Sequence, residues 1–307
     1  MRIPILLLFF LFSMMTACGN DTQEKYSDAD AGTTTTRAAE GDSQTERDIK
    51  LAELGYRPDE KLKTSLKAEL LDIAQQRKRN ESDDPIPTMI NELSSLFRTL
   101  SVTARALDRS EAFRKDITEG IRRFRETDRS RKGEAGKIMN GMTGTYEMYA
   151  LLAKMKFLGR EDKQKEIQEI NDRTIKSFRP EVPAIEAAAA IAEACYDLTH
   201  MIMTEIDSEG RFTEAFKQIE RQYQQGVQVA KKEEDHFING IYRTFEISQM
   251  WAIALNPTRE DDVAKMSAGI SDETAEAENV GTQMGIAVRY LYFISYIIAE
   301  DTVALTL

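Results

Sequence analysis

From Leu62 to the carboxyl terminus, apolar residues recur three and four positions apart, while strand-like alternation is scarce and the pattern of a parallel sheet is absent. At 3.6 residues per turn that spacing lines up one face of a helix, and it gives a strand no consistent buried side. The sequence therefore predicts an all-α fold, a multi-helix bundle. With 307 residues, 41% of them hydrophobic, there is enough apolar surface for one large or two modest cores.

Prolines and glycines divide this pattern into elements. Leu62, Leu66, Leu70 and Ile73 mark a helix ending near Asn80, and Asp84-Pro85-Ile86-Pro87 breaks the chain. A helix from about Thr88 carries Leu93, Phe97, Leu100, Ala104 and Leu107, and after a lapse at 108–110 the stripe resumes with Phe113, Ile117, Ile121 and Phe124. Beyond Gly133, Ile138, Met142, Tyr146, Tyr149, Leu152 and Leu158 define the next buried side, with Gly159 as carboxyl-terminal cap. A charged helix over 161–178 is expected to anchor through Ile167, Ile170 and Ile175. The alanine-rich stretch from Ala184 to Asp207 lets a neighbouring helix approach closely. Between Arg211 and Leu255 there is no proline, which predicts one long helix of about 45 residues, near 65 Å, with Val227, Ala230, Phe237, Ile241 and Phe245 as its apolar stripe. Only a short helical turn is expected over 258–266. The segment from Thr274 to Leu307 is apolar almost all round, as a central core helix would be, and Arg289 within it argues against a membrane span.

The first fifty residues are of another kind. Arg2 precedes an apolar run from Ile3 to Phe12, which is roughly ten residues long and short of the ~20 a spanning helix needs. It ends in Met15-Thr16-Ala17-Cys18, and this stretch resembles the processing site of bacterial lipoproteins. The resemblance implies a signal peptide over residues 1–17 and a diacylglycerated thiol on Cys18, whose amino group is acylated after cleavage. Acyl burial at about 0.8 kcal/mol per methylene would hold the chain at a membrane with no spanning helix. Gly19 stands where enterobacterial retention signals have aspartate, so the implied address is the cell envelope, at the outer membrane facing the periplasm or cell surface. Residues 18–50 hold almost no large apolar side chains and read as a disordered tether, with an r.m.s. reach of about 30 Å. The helical domain is expected over 51–307.

The formal net charge of −11 is a poor match for nucleic acid, whose binding rests on neutralising phosphates. With Cys18 lipidated, Cys195 has no partner for a disulfide and reads as a small buried hydrophobe. Against the acidic background, residues 114–132 are rich in cations, among them Arg122, Arg123, Arg125 and Arg129. Such a segment suits anionic lipid, lipopolysaccharide phosphate or an acidic partner; it also fits a solvated helix face laced with i,i+4 ion pairs.

Both histidines follow a carboxylate by three residues, as Asp197-x-x-His200 and Glu233-x-x-His236. On a helix each pair shares one face, and two such motifs resemble half of a di-iron or di-manganese carboxylate site, with Glu193 and Glu147 as further ligands. Imidazole and carboxylate together suit Fe, Mn or Zn. No glycine-rich phosphate loop, nucleophile elbow or zinc-binding cysteine pair is present. Two functional expectations result. One is a lipid-anchored, non-catalytic helical module that binds the membrane through Cys18 and another envelope protein through its body, with no cofactor. The other is a metal-binding carboxylate bundle for oxidase chemistry or metal storage. An apolar ligand held between helices near Tyr290, Tyr292 and Tyr296 is a third, weaker idea.

Overall fold

A computed structural model describes residues 59–130, 133–178, 182–207 and 209–306. They belong to a single unit, Asp59–Leu307; the unit Met1–Pro58, with the signal peptide, Cys18 and the tether, lies outside the described residues. Among the described residues there are ten α-helices and no strand, an all-α multi-helix bundle. In chain order they are α1 (Glu60–Arg79), α2 (Pro85–Leu107), α3 (Arg114–Ser130), α4 (Glu134–Lys156), α5 (Glu161–Lys176), α6 (Ala184–Ile206), α7 (Thr213–Val229), α8 (Glu233–Leu255), α9 (Glu260–Glu276) and α10 (Val280–Thr306).

The even-numbered helices form a closed ring. Helix α2 packs on α4, α4 on α6, α6 on α8, α8 on α10, and α10 returns to α2. The odd-numbered helices lie outside, each against the inner helix that follows it in the chain. Helix α1 packs on α2 and α10, α3 on α4 and α2, α5 on α6 and α4, α7 on α8, and α9 on α10 and α8. Composition explains this sorting. The inner helices are apolar on most of their circumference: α6 alone buries thirteen residues, from Ala187 to Met203. Each outer helix has one narrow stripe, such as Phe216, Ile219 and Tyr223 on α7 or Val263 and Ile270 on α9. A helix that is apolar nearly all round must be covered on every side, and one with a single stripe needs only one contact.

Four buried hydroxyls on the inner helices are satisfied within their own helix. Thr103, Thr199, Thr244 and Ser248 each donate to the carbonyl four residues back. The alanine stretch behaves as its composition predicts: a Cβ on Gly240 of α8 would fall 2.8 Å from the Ala192 carbonyl carbon on α6.

Several expectations are corrected. The helix over 85–107 begins at Pro85 itself, with Asp84 accepting from the Ile86 amide at 3.1 Å. Pro85 and Pro87 both sit in the first turn, where an amide hydrogen has no intrahelical partner to lose. The long helix expected over 211–255 is two helices that turn back on each other, broken at Ala230–Lys232. The Asp235 carboxylate accepts from the amides of Lys231 and Lys232 at 3.1 and 3.3 Å, which caps α8 where propensity alone would have continued it. Asn239 donates to the Tyr223 carbonyl at 3.1 Å across the resulting hairpin. In place of a short turn over 258–266 stands the 17-residue α9. Four assigned stripe residues face water instead: Leu107 is 37% exposed, Leu158 64%, Ile175 57% and Val227 37%. Each lies in the last turn of its helix or just past it, where Phe157 and Thr174 take the inward position. The segment beginning at Val280 is, as expected, a central helix, with Ala287, Val288, Leu291 and Ile294 fully buried.

Candidate functional site

The ring axis is the first place to look for a site, and side chains fill it. Leu93 and Leu96 from α2, Met142 and Thr145 from α4, Ile191 and Cys195 from α6, Phe237 and Ile241 from α8, and Val288 and Leu291 from α10 converge there. They leave about 10 Å³, near the smallest space that holds one water molecule. Gly141 and Gly144 of α4 lie against Leu93 and Phe97 of α2, and between α8 and α10 Phe245 meets Tyr290 and Asn256 meets Asp301, so these inner helices run parallel. Cys195 is free, and burial pushes its thiol well above the usual range, so it is chemically quiet. One level along, Tyr149 is 1% exposed, and burial raises its phenol against the opposing pull of the Ser295 and Ser248 hydroxyls.

The two carboxylate–histidine motifs are not brought together. Gly240 of α8 lies against Ala192 of α6. His236 is therefore level with the start of α6, while His200 lies about ten residues further along, or ~15 Å. Asp197 accepts from the Arg173 guanidinium of α5, which also lies 3.6 Å from Glu193. Glu147 is engaged by Arg123 at 3.2 Å. Glu233 and His236 occupy the first turn of α8, half-buried at its edge. Among the described residues no group of three or more His, Cys, Asp or Glu side chains is placed to hold a metal ion.

What forms around His200 is an aromatic cluster between α6 and α7. Its ring lies 5.8 Å from both Tyr196 and Phe216, and Tyr196 stacks on Tyr223 at 4.0 Å. Burial lowers the His200 pKa, and Glu220 and Glu166 oppose the shift. Burial also raises the Asp197 carboxyl, against Arg173. A lowered histidine pKa means that the unfolded chain takes up the proton first as pH falls. The His200 contribution to stability is thus intact above about pH 6.5, declines below it, and stops declining once pH is under the folded-state pKa. Urea midpoints measured at about pH 7.5 and 5.5 should show this loss in the native chain and a smaller loss in His200→Gln. Equal losses in both chains would contradict the packing of His200 against α7.

The cationic segment is laced with ion pairs. Arg122 bonds Glu119 at 2.6 Å and Glu126 one turn on, and these carboxylates hold its guanidinium charged. Arg123 reaches across to Glu147 on α4. Arg125 is exposed and has no ion-pair partner among the described residues. Arg129 lies in α3, and its side chain is outside the described residues.

One charged pair escaped the sequence reading altogether. Glu92 of α2 is 2% exposed and accepts from Arg77 of α1 at two points, Nε at 2.8 Å and Nη2 at 2.7 Å. The guanidinium lies 5.2 Å from the Tyr292 ring centroid and 4.7 Å from that of Phe293. This stack occupies the region proposed for an apolar ligand, and Tyr290 there donates to Glu273 at 2.7 Å. The pair ties α1 to both neighbouring inner helices; its chemistry is that of a clamp.

Compared with protein-family models, curated proteins and solved structures, the chain matches none. The fold thus defines an architecture, a five-hairpin helical ring with a filled axis.

Proposed function

We propose that this chain is a lipid-anchored protein of the bacterial envelope, held at the outer membrane through acyl chains on Cys18, whose helical ring serves as a non-catalytic interaction module for another envelope protein. The observation that carries the anchor is Met15-Thr16-Ala17-Cys18 behind a ten-residue apolar run, too short to span. No described helix is long and apolar enough to cross a membrane. Support for the non-catalytic part comes from the ring itself, whose five inner helices fill the axis where a reacting molecule would otherwise be enclosed. The metal-binding alternative has less support, because Asp197 and Glu147 are each engaged by an arginine.

The test is Cys18→Ala in the native cell. The altered chain should leave the membrane fraction or keep its signal peptide, and its mass should show no acyl chains. Unchanged membrane association together with unchanged mass would sink the anchor.

A further inference from the structure

We infer that one end of the ring carries a patch that rests on anionic lipid headgroups, centred on the exposed leucines Leu107 and Leu158; this builds on the lipid-anchor reading. The relevant end is set by where α1 begins. Lys63, in the first turn of α1, donates to the Ala304 carbonyl near the close of α10 at 3.2 Å, so the chain enters beside the carboxyl ends of the inner helices.

Two neighbouring sectors of that end differ from the rest. Leu107 closes α2, and Leu158 lies just past α4, the next helix round the ring. Helix α3 runs antiparallel to α4, with Gly120 against Met148 and Gly144 against Phe124, so the start of α3 lies beside the end of α4. Leu158 is 64% exposed between Lys156 and Gly159, whose φ of 81° turns the chain sharply and leaves the leucine at the tip. Lys115 and Lys156 are exposed, Lys154 is half-buried, and none of the three has an ion-pair partner among the described residues.

Residues 103–118 and 154–166 together hold nine Lys and Arg against six Asp and Glu. The other turns at the same end, 204–217 and 253–265 with Glu300 and Asp301, hold four against nine. The end is polarised, and its leucines sit on the cationic side. Exposed aliphatic tips flanked by cations match an anionic headgroup surface, where the leucines enter the acyl boundary and the cations meet phosphate. An acidic protein held near such a surface turns its cationic side toward it, and a tether keeps the local concentration high. Of the remaining exposed aliphatics, Ile86, Ile175, Val227, Val229 and Val280 lie at the opposite end or beside it, and Leu71 lies midway along α1. They supply the control.

The test uses the mature chain in vesicles, carrying Leu158→Cys or Val229→Cys labelled with an environment-sensitive fluorophore. Acylation of Cys18 and burial of Cys195 leave the new thiol as the labelling site. At position 158 the probe should shift to the blue and resist an aqueous quencher in vesicles containing phosphatidylglycerol, but not in phosphatidylcholine alone. At position 229 it should respond to neither. Lys115→Gln or Lys156→Gln should each lower the protected-to-exposed ratio at 158 about fivefold. No protection at 158 in anionic vesicles, as docking of a protein on this patch would give, overturns the inference, as does equal protection at 229. Mass spectrometry reports acylation separately. If Cys18 carries no acyl chains, the anchor reading fails on its own, and the Cys18→Ser chain mixed with the same vesicles gives the same contrast between positions.

Discussion

Glu92→Ala lowers the stability of the fold by about 3–5 kcal/mol, the range for removing one partner of a buried ion pair. The reason lies in what remains. Arg77 is held between the Tyr292 and Phe293 rings and α2, with its main charge-assisted bonds directed at the missing carboxylate. The guanidinium cannot shed its proton, and it can regain water only by pulling α1 away from α2 and α10. The rest of α1 resists weakly, since only Leu66, Leu70 and Ile73 are buried along it. Among its other ties, Asp72 to Arg98 at 2.9 Å and Glu69 to Arg105 at 2.8 Å are partly solvated and add little. The double substitution Arg77→Met with Glu92→Leu removes both charges and fills much of the same space, so it should recover most of the loss. Urea unfolding of the three chains decides the matter, provided the slope is unchanged. A loss for Glu92→Ala under about 1 kcal/mol would mean that water already reaches the pair.

This pair shows where sequence and structure part company. In a chain that is 30% charged, Arg77 and Glu92 look like surface residues on either side of a proline turn. No periodicity marks them as partners, because a stripe reports which face of a helix is buried and says nothing of what covers it. The all-α class was legible, and so was the alternation behind the ring: the stretches that became α2, α4, α6, α8 and α10 are the apolar ones, and those between them are charged. Ring closure was not legible, since it depends on α10 meeting α2 across most of the chain. The break at Ala230–Lys232 was hidden because its residues are tolerable helix formers and Asp235, which caps α8, looks like one more surface acid. For the candidate residues, composition located the cationic segment, but its partners Glu119, Glu126 and Glu147 emerged only with the fold. The carboxylate–histidine spacing told which side chains share a turn; whether two turns face each other is set by the parallel register of the inner helices, which separates them.

Phe237→Ala should cost about 3–5 kcal/mol, toward the upper end because the site cannot collapse. Phe237 is 0% exposed and lines the axis with Met142, Ile191 and Val288. Closing the space it vacates would require an inner helix to move inward, and each is wedged between two neighbours. Helix α8 is the most constrained, because Gly240 already brings its backbone against Ala192. The neighbouring side chains are mainly apolar, so the new cavity should stay dry and admit benzene or xenon, as engineered apolar cavities do. Binding to the folded state alone raises the midpoint of unfolding in proportion to ligand concentration over its dissociation constant. Benzene should therefore restore part of the lost stability in Phe237→Ala and leave the native chain unchanged, whose axis has room for about one water molecule. A loss below about 1 kcal/mol with no effect of benzene would show that the ring relaxes around its axis and closes the space a side chain vacates.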